Sequence, residues 1–224
     1  MQFETGHIFH IYNRGNNRDT VFYCRKNYLF FLEKMKIYIQ PYADIFAWCL
    51  MPNHFHLMVY VNDIELPIKK MIDKNGKEFV GVDKSAGPSS SSEALAQSES
   101  LAGAGRTFNN SIGIMLRSYT NAVQKQENRV GSLFQRKTKA VCLTDIKGLS
   151  PSYFNTAFGT VFNLNLPEKD YPQVCFNYIH QNPVAAGLVK VADDWEYSSY
   201  LDYAGLRSGT LVNKQSAQAY INFG

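Results

Sequence analysis

No run of eighteen apolar residues occurs in this 224-residue chain, and its N-terminus has no basic stretch leading into an apolar one. The sequence therefore predicts neither a membrane span nor a signal peptide. Cysteine is sparse and scattered: Cys24, Cys49, Cys142 and Cys175 form no C-x-x-C pair. That spacing argues against a zinc ribbon and for reduced thiols in a cytoplasmic protein. What is plentiful is core-forming material, 45% hydrophobic with 14% aromatic residues, which excludes a disordered composition. The length fits one domain with extensions, here expected as a body over 1–205 and a C-terminal extension over 206–224.

Net charge is only +4, yet acidic residues are scarce in one place. Residues 106–147 carry Arg106, Arg117, Lys125, Arg129, Arg136, Lys137, Lys139 and Lys147 against Glu127 and Asp145, a net +6 that leaves the rest of the chain at −2. A basic segment interleaved with aromatics suits a phosphate backbone. A solvated helix face is the other reading of the same charges.

The element pattern begins with a strand over Gly6–Arg14, stopped by Gly15-Asn16-Asn17. Asn27 can cap a helix to about Gln40, with Tyr28, Phe31, Leu32, Met35 and Ile39 as its buried stripe and Pro41 as its stop. Tyr42–Leu50 and His54–Val61 read as strands joined by Met51-Pro52-Asn53. Residues 73–105, rich in Ser, Ala and Gly, read as a flexible insertion. A second helix is predicted over about Asn110–Glu127, with the stripe Ile112, Met115, Leu116, Tyr119 and Val123. Leu133–Leu143 is predicted as a fourth strand carrying Arg136, Lys137 and Lys139, and a loop-rich segment with Pro151 and Pro167 follows. A last helix has Asp170 as its cap, Pro172 in its first turn and Pro183 as its stop. The order β-α-β-β-α-β plus a helix is that of an α+β, ferredoxin-like split βαβ fold. It predicts an antiparallel sheet with two helices on one face and the other face available for a site.

The chemistry concentrates in two stretches. Met51-Pro52-Asn53-His54-Phe55-His56 sets two histidines two positions apart, which on a strand puts both imidazoles on one face, ~7 Å apart along the backbone. Neutral imidazoles on one face can grip a divalent cation. The late helix offers Tyr178 and Asn182 four residues apart, hence on one helical face, with Asn182 expected at a frayed end before Pro183, its side chain reaching outward. An amide oxygen is a hard ligand for Mg2+ or Mn2+. His54, His56 and Asn182 together make a three-donor metal site, and Tyr178 stands one turn away as a candidate nucleophile. No general base is evident, and His180 falls on another helical phase. Each piece also has a plainer reading: an H-x-H pair can be half-buried polar residues or belong to cupins and metal hydrolases, Tyr178 can be core beside Val174 and Cys175, and Asn182 can be a helix stop.

Taken in order, these pieces resemble the REP-associated tyrosine transposases, within the single-tyrosine HUH transposases of single-stranded DNA. The matching residues are His7–Gly15, Met51–Leu57, Gly131–Arg136, Tyr178–Val184 with Ala186–Val189, and Trp195–Tyr200, so the likeness spans most of residues 7–205. It departs at Ala185-Ala186, where relatives often carry a basic residue, and in the long insertion at 73–105. The resemblance implies a transposase-like endonuclease and strand transferase that uses Mg2+ or Mn2+ and forms a 5′-phosphotyrosine intermediate. On that likeness His54, His56 and Asn182 hold the metal and Tyr178 attacks. Arg136, Lys137, Lys139 and Arg117 are expected to contact the backbone of a hairpin in single-stranded DNA, often a repeated palindrome. It further implies a nucleoid-associated cytoplasmic protein, monomeric or homodimeric. Two other functions fit some of the same residues: a hairpin-DNA-binding protein of this fold that no longer cleaves, and an unrelated H-x-H metal hydrolase, against which the basic segment argues.

Overall fold

A computed structural model describes residues 1–72, 78–82, 105–144, 153–156, 159–162 and 170–223. Its centre is a four-stranded antiparallel sheet built from β1 (Ile8–Arg14), β2 (Ala43–Met51), β3 (His54–Val61) and β7 (Lys139–Cys142), in the order β2-β3-β1-β7. That order, with α1 (Arg25–Tyr38) between β1 and β2 and α2 (Phe108–Glu127) before β7, is the ferredoxin-like arrangement read from the sequence.

Alternation along the strands decides which residues face which layer. Phe9 and Ile11 of β1, Trp48 and Leu50 of β2, and Phe55, Leu57 and Val59 of β3 point to one face. There they pack on Phe31 and Met35 of α1 and on Ile112, Met115, Tyr119 and Val123 of α2. The opposite face is divided along its length. At one end Ile8, Phe46, Cys49 and Met58 bury against Cys175, Phe176 and Ile179 of α3 (Tyr171–Ala185). At the other end the same face carries His10, Tyr12, His54 and His56, where an apolar cover gives way to a cavity. A β-bulge between Ile45 and Ala47 shifts the alternation of β2 by one residue: Phe46 and Ala47 both turn toward α3, so Ala43 and Ile45 before it and Trp48 and Leu50 after it share the opposite face.

The C-terminal residues close on the same sheet. Residues 197–199 run along β2, with Leu50 N–H donating to the Tyr197 carbonyl and Ser199 N–H to that of Trp48, both at 2.9 Å. Two short helices follow, α4 (Tyr200–Tyr203) and α5 (Lys214–Ala217), and Leu211, Ala217 and Ile221 are buried. All four cysteines are free, and among the described residues no helix is long and apolar enough to cross a membrane.

Several sequence expectations need correction. α1 starts two residues before Asn27; Cys24 is the N-cap, and the Asn27 amide oxygen accepts from the Cys24 and Tyr23 N–H groups as its capping partner. The helix ends at Tyr38, before the turn at Pro41. α2 starts at Phe108, where the Thr107 hydroxyl accepts from Asn110 N–H. The predicted fourth strand shortens to Lys139–Cys142, because residues 133–138 are held as a loop: Asn13 donates its amide protons to the Gln135 carbonyl at 3.1 Å and the Thr138 hydroxyl at 2.9 Å. Arg136 and Lys137 therefore sit on that loop. Within the 73–105 region, expected as flexible, Glu78–Val82 is a strand, β5, paired with β4 (Glu65–Ile72), which also pairs with β6 (Gly105–Thr107). Its Ser-rich part, 83–104, lies outside the described residues. The loop-rich segment likewise contains a hairpin, β8 (Tyr153–Thr156) with β9 (Gly159–Phe162), while Pro151 and Pro167 lie outside the described residues.

Pro183 does not stop α3. Pro183 has no N–H to donate to the Ile179 carbonyl, so the helix passes it with one backbone bond missing. The turn continues to Ala185, and Gly187, with φ of +69°, ends it.

Candidate functional site

The site is assembled by β1, β3 and the last turns of α3. In the β1–β3 register Tyr12 lies opposite His56 and Arg14 opposite His54, so period two brings His10, Tyr12, Arg14, His54 and His56 to one face. α3 crosses that face with Cys175 and Ile179 buried beneath it. Tyr178 and Asn182, one turn apart, are thereby carried to the histidines. The structure thus brings His54, His56, Asn182 and Tyr178 together. Asn182 is buried, at 9% exposure, instead of reaching outward from a frayed end, because the helix continues past it.

The donor geometry is specific. His54 Nε2 lies 3.3 Å from Asn182 Oδ1, and Asn182 Nδ2 lies 3.4 Å from His56 Nε2. His54 Nδ1 lies 2.6 Å from Asn53 Oδ1, an atom that only accepts, so His54 carries its proton on Nδ1. Burial drives His54 down to about 4, although Asn182 Oδ1 would accept a hydrogen bond from the protonated ring and so raises it, and drives His56 well below the usual imidazole range, with His54 and His10 adding to that shift. Both rings are therefore neutral at pH 7. His54 Nε2 then turns a lone pair toward an amide oxygen, two acceptors face to face. Where both Nε2 atoms keep their lone pairs, as ligation requires, reversing the amide only moves the conflict to His56, because one amide has a single donating end. A cation between these atoms would remove the conflict. Two imidazole nitrogens and an amide oxygen form a donor set that suits a small divalent ion. Among the described residues no group of three His, Cys, Asp or Glu could hold a metal ion, so the third donor to a cation here would be the neutral Asn182 amide.

Tyr178 is half-buried beside this set. Its ring meets that of His56 edge-on, with centroids 5.2 Å apart and planes at 80°. Burial raises the phenol to about 12, and a hydrogen bond with Asn182 acts in the opposite direction. Cations beside the phenol would favour its ionised form.

The cavity over these residues measures about 550 Å3. Its lining includes Arg14, Arg18, Lys137 and Lys139 and no acidic residue. Gly15 is required for this wall. A Cβ there would lie 2.0 Å from the Asp19 carbonyl oxygen, in the tight turn over Asn16–Arg18 that delivers Arg18. Lys139 is held 5.7 Å from the Tyr12 ring centroid, a cation–π distance. The predicted basic residues divide between two places. Lys137 and Lys139 line the histidine cavity, while Arg117 and Arg136 line a separate cleft beside α2, which Lys137 also borders.

Sequence reasoning missed His10, Tyr12, Arg14 and Arg18. The alternation in Phe9-His10-Ile11-Tyr12 carries the signal for the first two, since it sets the polar residues opposite the helix-facing ones. His180 was correctly placed away from Tyr178. It is buried, lowered to about 3 by that burial, and its Nε2 lies 2.7 Å from the Ser199 hydroxyl, whose oxygen accepts from Trp48 N–H at 2.9 Å. This chain of bonds ties α3 to β2 and fixes where Tyr178 and Asn182 stand.

No protein-family model and no curated protein matches the sequence. Among solved structures, the fold is similar to that of a REP-associated tyrosine transposase bound to a REP hairpin, with a TM-score of 0.51 and 14% identity over 92% of this chain and 83% of that one. At that identity the likeness is one of fold.

Proposed function

We propose that the protein breaks and rejoins single-stranded DNA at a hairpin, with Tyr178 as nucleophile and Mg2+ or Mn2+ held by His54, His56 and Asn182. The observation that carries this reading is the meeting of three donors and a phenol in one cavity whose charged wall is wholly basic. Arg14, Arg18, Lys137 and Lys139 attract the phosphate backbone, and Arg117 and Arg136 extend the basic surface beyond the cavity. The ion, when bound, polarises the scissile phosphate and offsets the charge of the transition state.

Tyr178 first gives up its phenolic proton to water in the cavity. Its oxygen then bonds to phosphorus as the bond from phosphorus to the 3′ oxygen breaks, and that oxygen leaves with a proton as a 3′-hydroxyl. One ester replaces another, so a second 3′-hydroxyl can reverse the step and join strands without an outside energy source. The hairpin substrate is supported by the sequence resemblance and by the REP hairpin bound in the structural neighbour. A chromosomal substrate would place the protein in the cytoplasm, at the nucleoid.

A second reading, a hairpin-binding protein that no longer cleaves, is favoured by one observation: no carboxylate lines the cavity to take the proton of a phenol held at about 12. Incubation with a single-stranded hairpin and Mn2+ separates the two. The enzyme reading expects a denaturation-resistant protein–DNA band that Tyr178→Phe abolishes while hairpin binding persists. Hairpin binding by the wild-type chain with no such band assigns it to the second reading.

A further inference from the structure

We propose that His10 is a positioning residue for His56: it accepts the His56 Nδ1–H and so presents the His56 Nε2 lone pair to the cation. The inference rests on reading His54, His56 and Asn182 as a cation site. It starts from the register. Tyr12 is opposite His56 and His10 opposite Met58, so His10 is the diagonal neighbour of His56 on the same sheet face. His10 is 5% exposed, and its ring centroid lies 4.8 Å from that of Tyr12, with the planes at 26°, and 5.1 Å from that of His56, with the planes at 24°. Its Nε2 lies 2.9 Å from His56 Nδ1.

Two ring nitrogens at that distance share a single hydrogen. If His10 carries it, His56 turns an N–H to the cavity and cannot act as a ligand. If His56 carries it on Nδ1, its Nε2 is an acceptor. The partner on the other side decides between them. The end of the Asn182 amide facing His56 Nε2 is Nδ2, a donor, at 3.4 Å, so Nε2 accepts and the shared hydrogen belongs to His56. His10 Nε2 is then the acceptor. A ligand histidine whose second N–H is accepted in this way is fixed in tautomer and orientation and becomes a better donor to the metal. The usual acceptor is a carboxylate, a backbone carbonyl or water. A neutral imidazole gives the same direction without an anion, which would repel a phosphate entering a cavity lined by four cations and no acid.

Titration of the full chain with Mn2+ alone, counting free Mn2+ by electron paramagnetic resonance, tests this without DNA. His10→Phe is expected to weaken Mn2+ binding by about 10- to 100-fold. His10→Gln, whose amide oxygen can accept the same proton, is expected to recover most of that loss. Nitrogen-15 spectra of the wild-type chain with Mg2+ should show His56 protonated at Nδ1 only, a readout that stands even if His10→Phe fails to fold. Unchanged Mn2+ affinity in a folded His10→Phe overturns the role of His10 and leaves the cation site standing, whereas a His56 protonated at Nε2 with Mg2+ present overturns that role and also removes His56 from the ligands. A wild-type chain that binds no Mn2+ overturns both.

Discussion

The two faces of the four-stranded sheet use the same strands for opposite ends. On the α1/α2 face nearly every inward residue is apolar, and Phe31, Met115 and Tyr119 are buried with rings and thioether interleaved. On the other face the apolar cover by α3 stops partway, and the space beyond it holds three histidines and one tyrosine from β1 and β3 beneath a basic rim. The first face stabilises the fold. The second uses that stability to hold buried polar groups against one another, His10, His56 and Asn182 among them. The contrast teaches that stability and chemistry can be divided by face, since successive residues of one strand serve each.

The largest effect expected from breaking this division is on the apolar face. Phe31→Ala removes a fully buried ring that packs on Phe22, Phe55 and Tyr119 and should cost about 3–5 kcal/mol in a denaturant titration. A loss below about 1 kcal/mol would mean that α1 is not the main support of the sheet.

Acid sharpens the comparison from the other side. Burial holds His10 and His180 at about 3 and His54 at about 4, against an ordinary value of 6.5. The unfolded chain therefore takes up protons first as pH falls. The stability linked to these neutral rings is fully present above about pH 6.5 and is lost progressively as pH falls toward 4 and then 3. Melting temperature measured in a chelator should fall between pH 7 and pH 4.5, as a rough window set by the unperturbed imidazole. His180→Phe, with one such ring fewer, should show a shallower fall. A flat profile over that window would contradict the burial of neutral imidazoles.

The smallest effect is at the rim. Lys139→Ala should leave folding unchanged and weaken single-strand binding, with the slope of log affinity against log salt reduced by about 0.7. An unaltered slope would remove Lys139 from contact with the backbone.

The helix-packed face was largely legible in the sequence. β3 spans the residues that the alternation in His54–Val61 indicates, and the stripes at Tyr28, Phe31, Met35 and at Ile112, Met115, Tyr119 lie buried as their spacing requires. The site face was legible only in part. His54, His56, Tyr178 and Asn182 stand in recognisable patterns. The burial of Asn182 was hidden because Pro183 reads as a helix stop, whereas the stop is Gly187. Arg18 and the 133–138 loop were hidden because their placement depends on a tight turn at Gly15 and on side-chain bonds from Asn13, and neither has a period. His10 was hidden because a histidine on a strand has no distinguishing mark until the register pairs it with His56.

Two tyrosines line the histidine cavity, Tyr12 and Tyr178, and the account assigns the chemistry to one of them. Proteolysis of the hairpin-DNA adduct formed with Mn2+, followed by mass spectrometry of the peptide that retains nucleotide, tests that assignment most directly. The account predicts a phosphodiester on Tyr178 alone. Nucleotide recovered on Tyr12, or on any peptide outside α3, would contradict it.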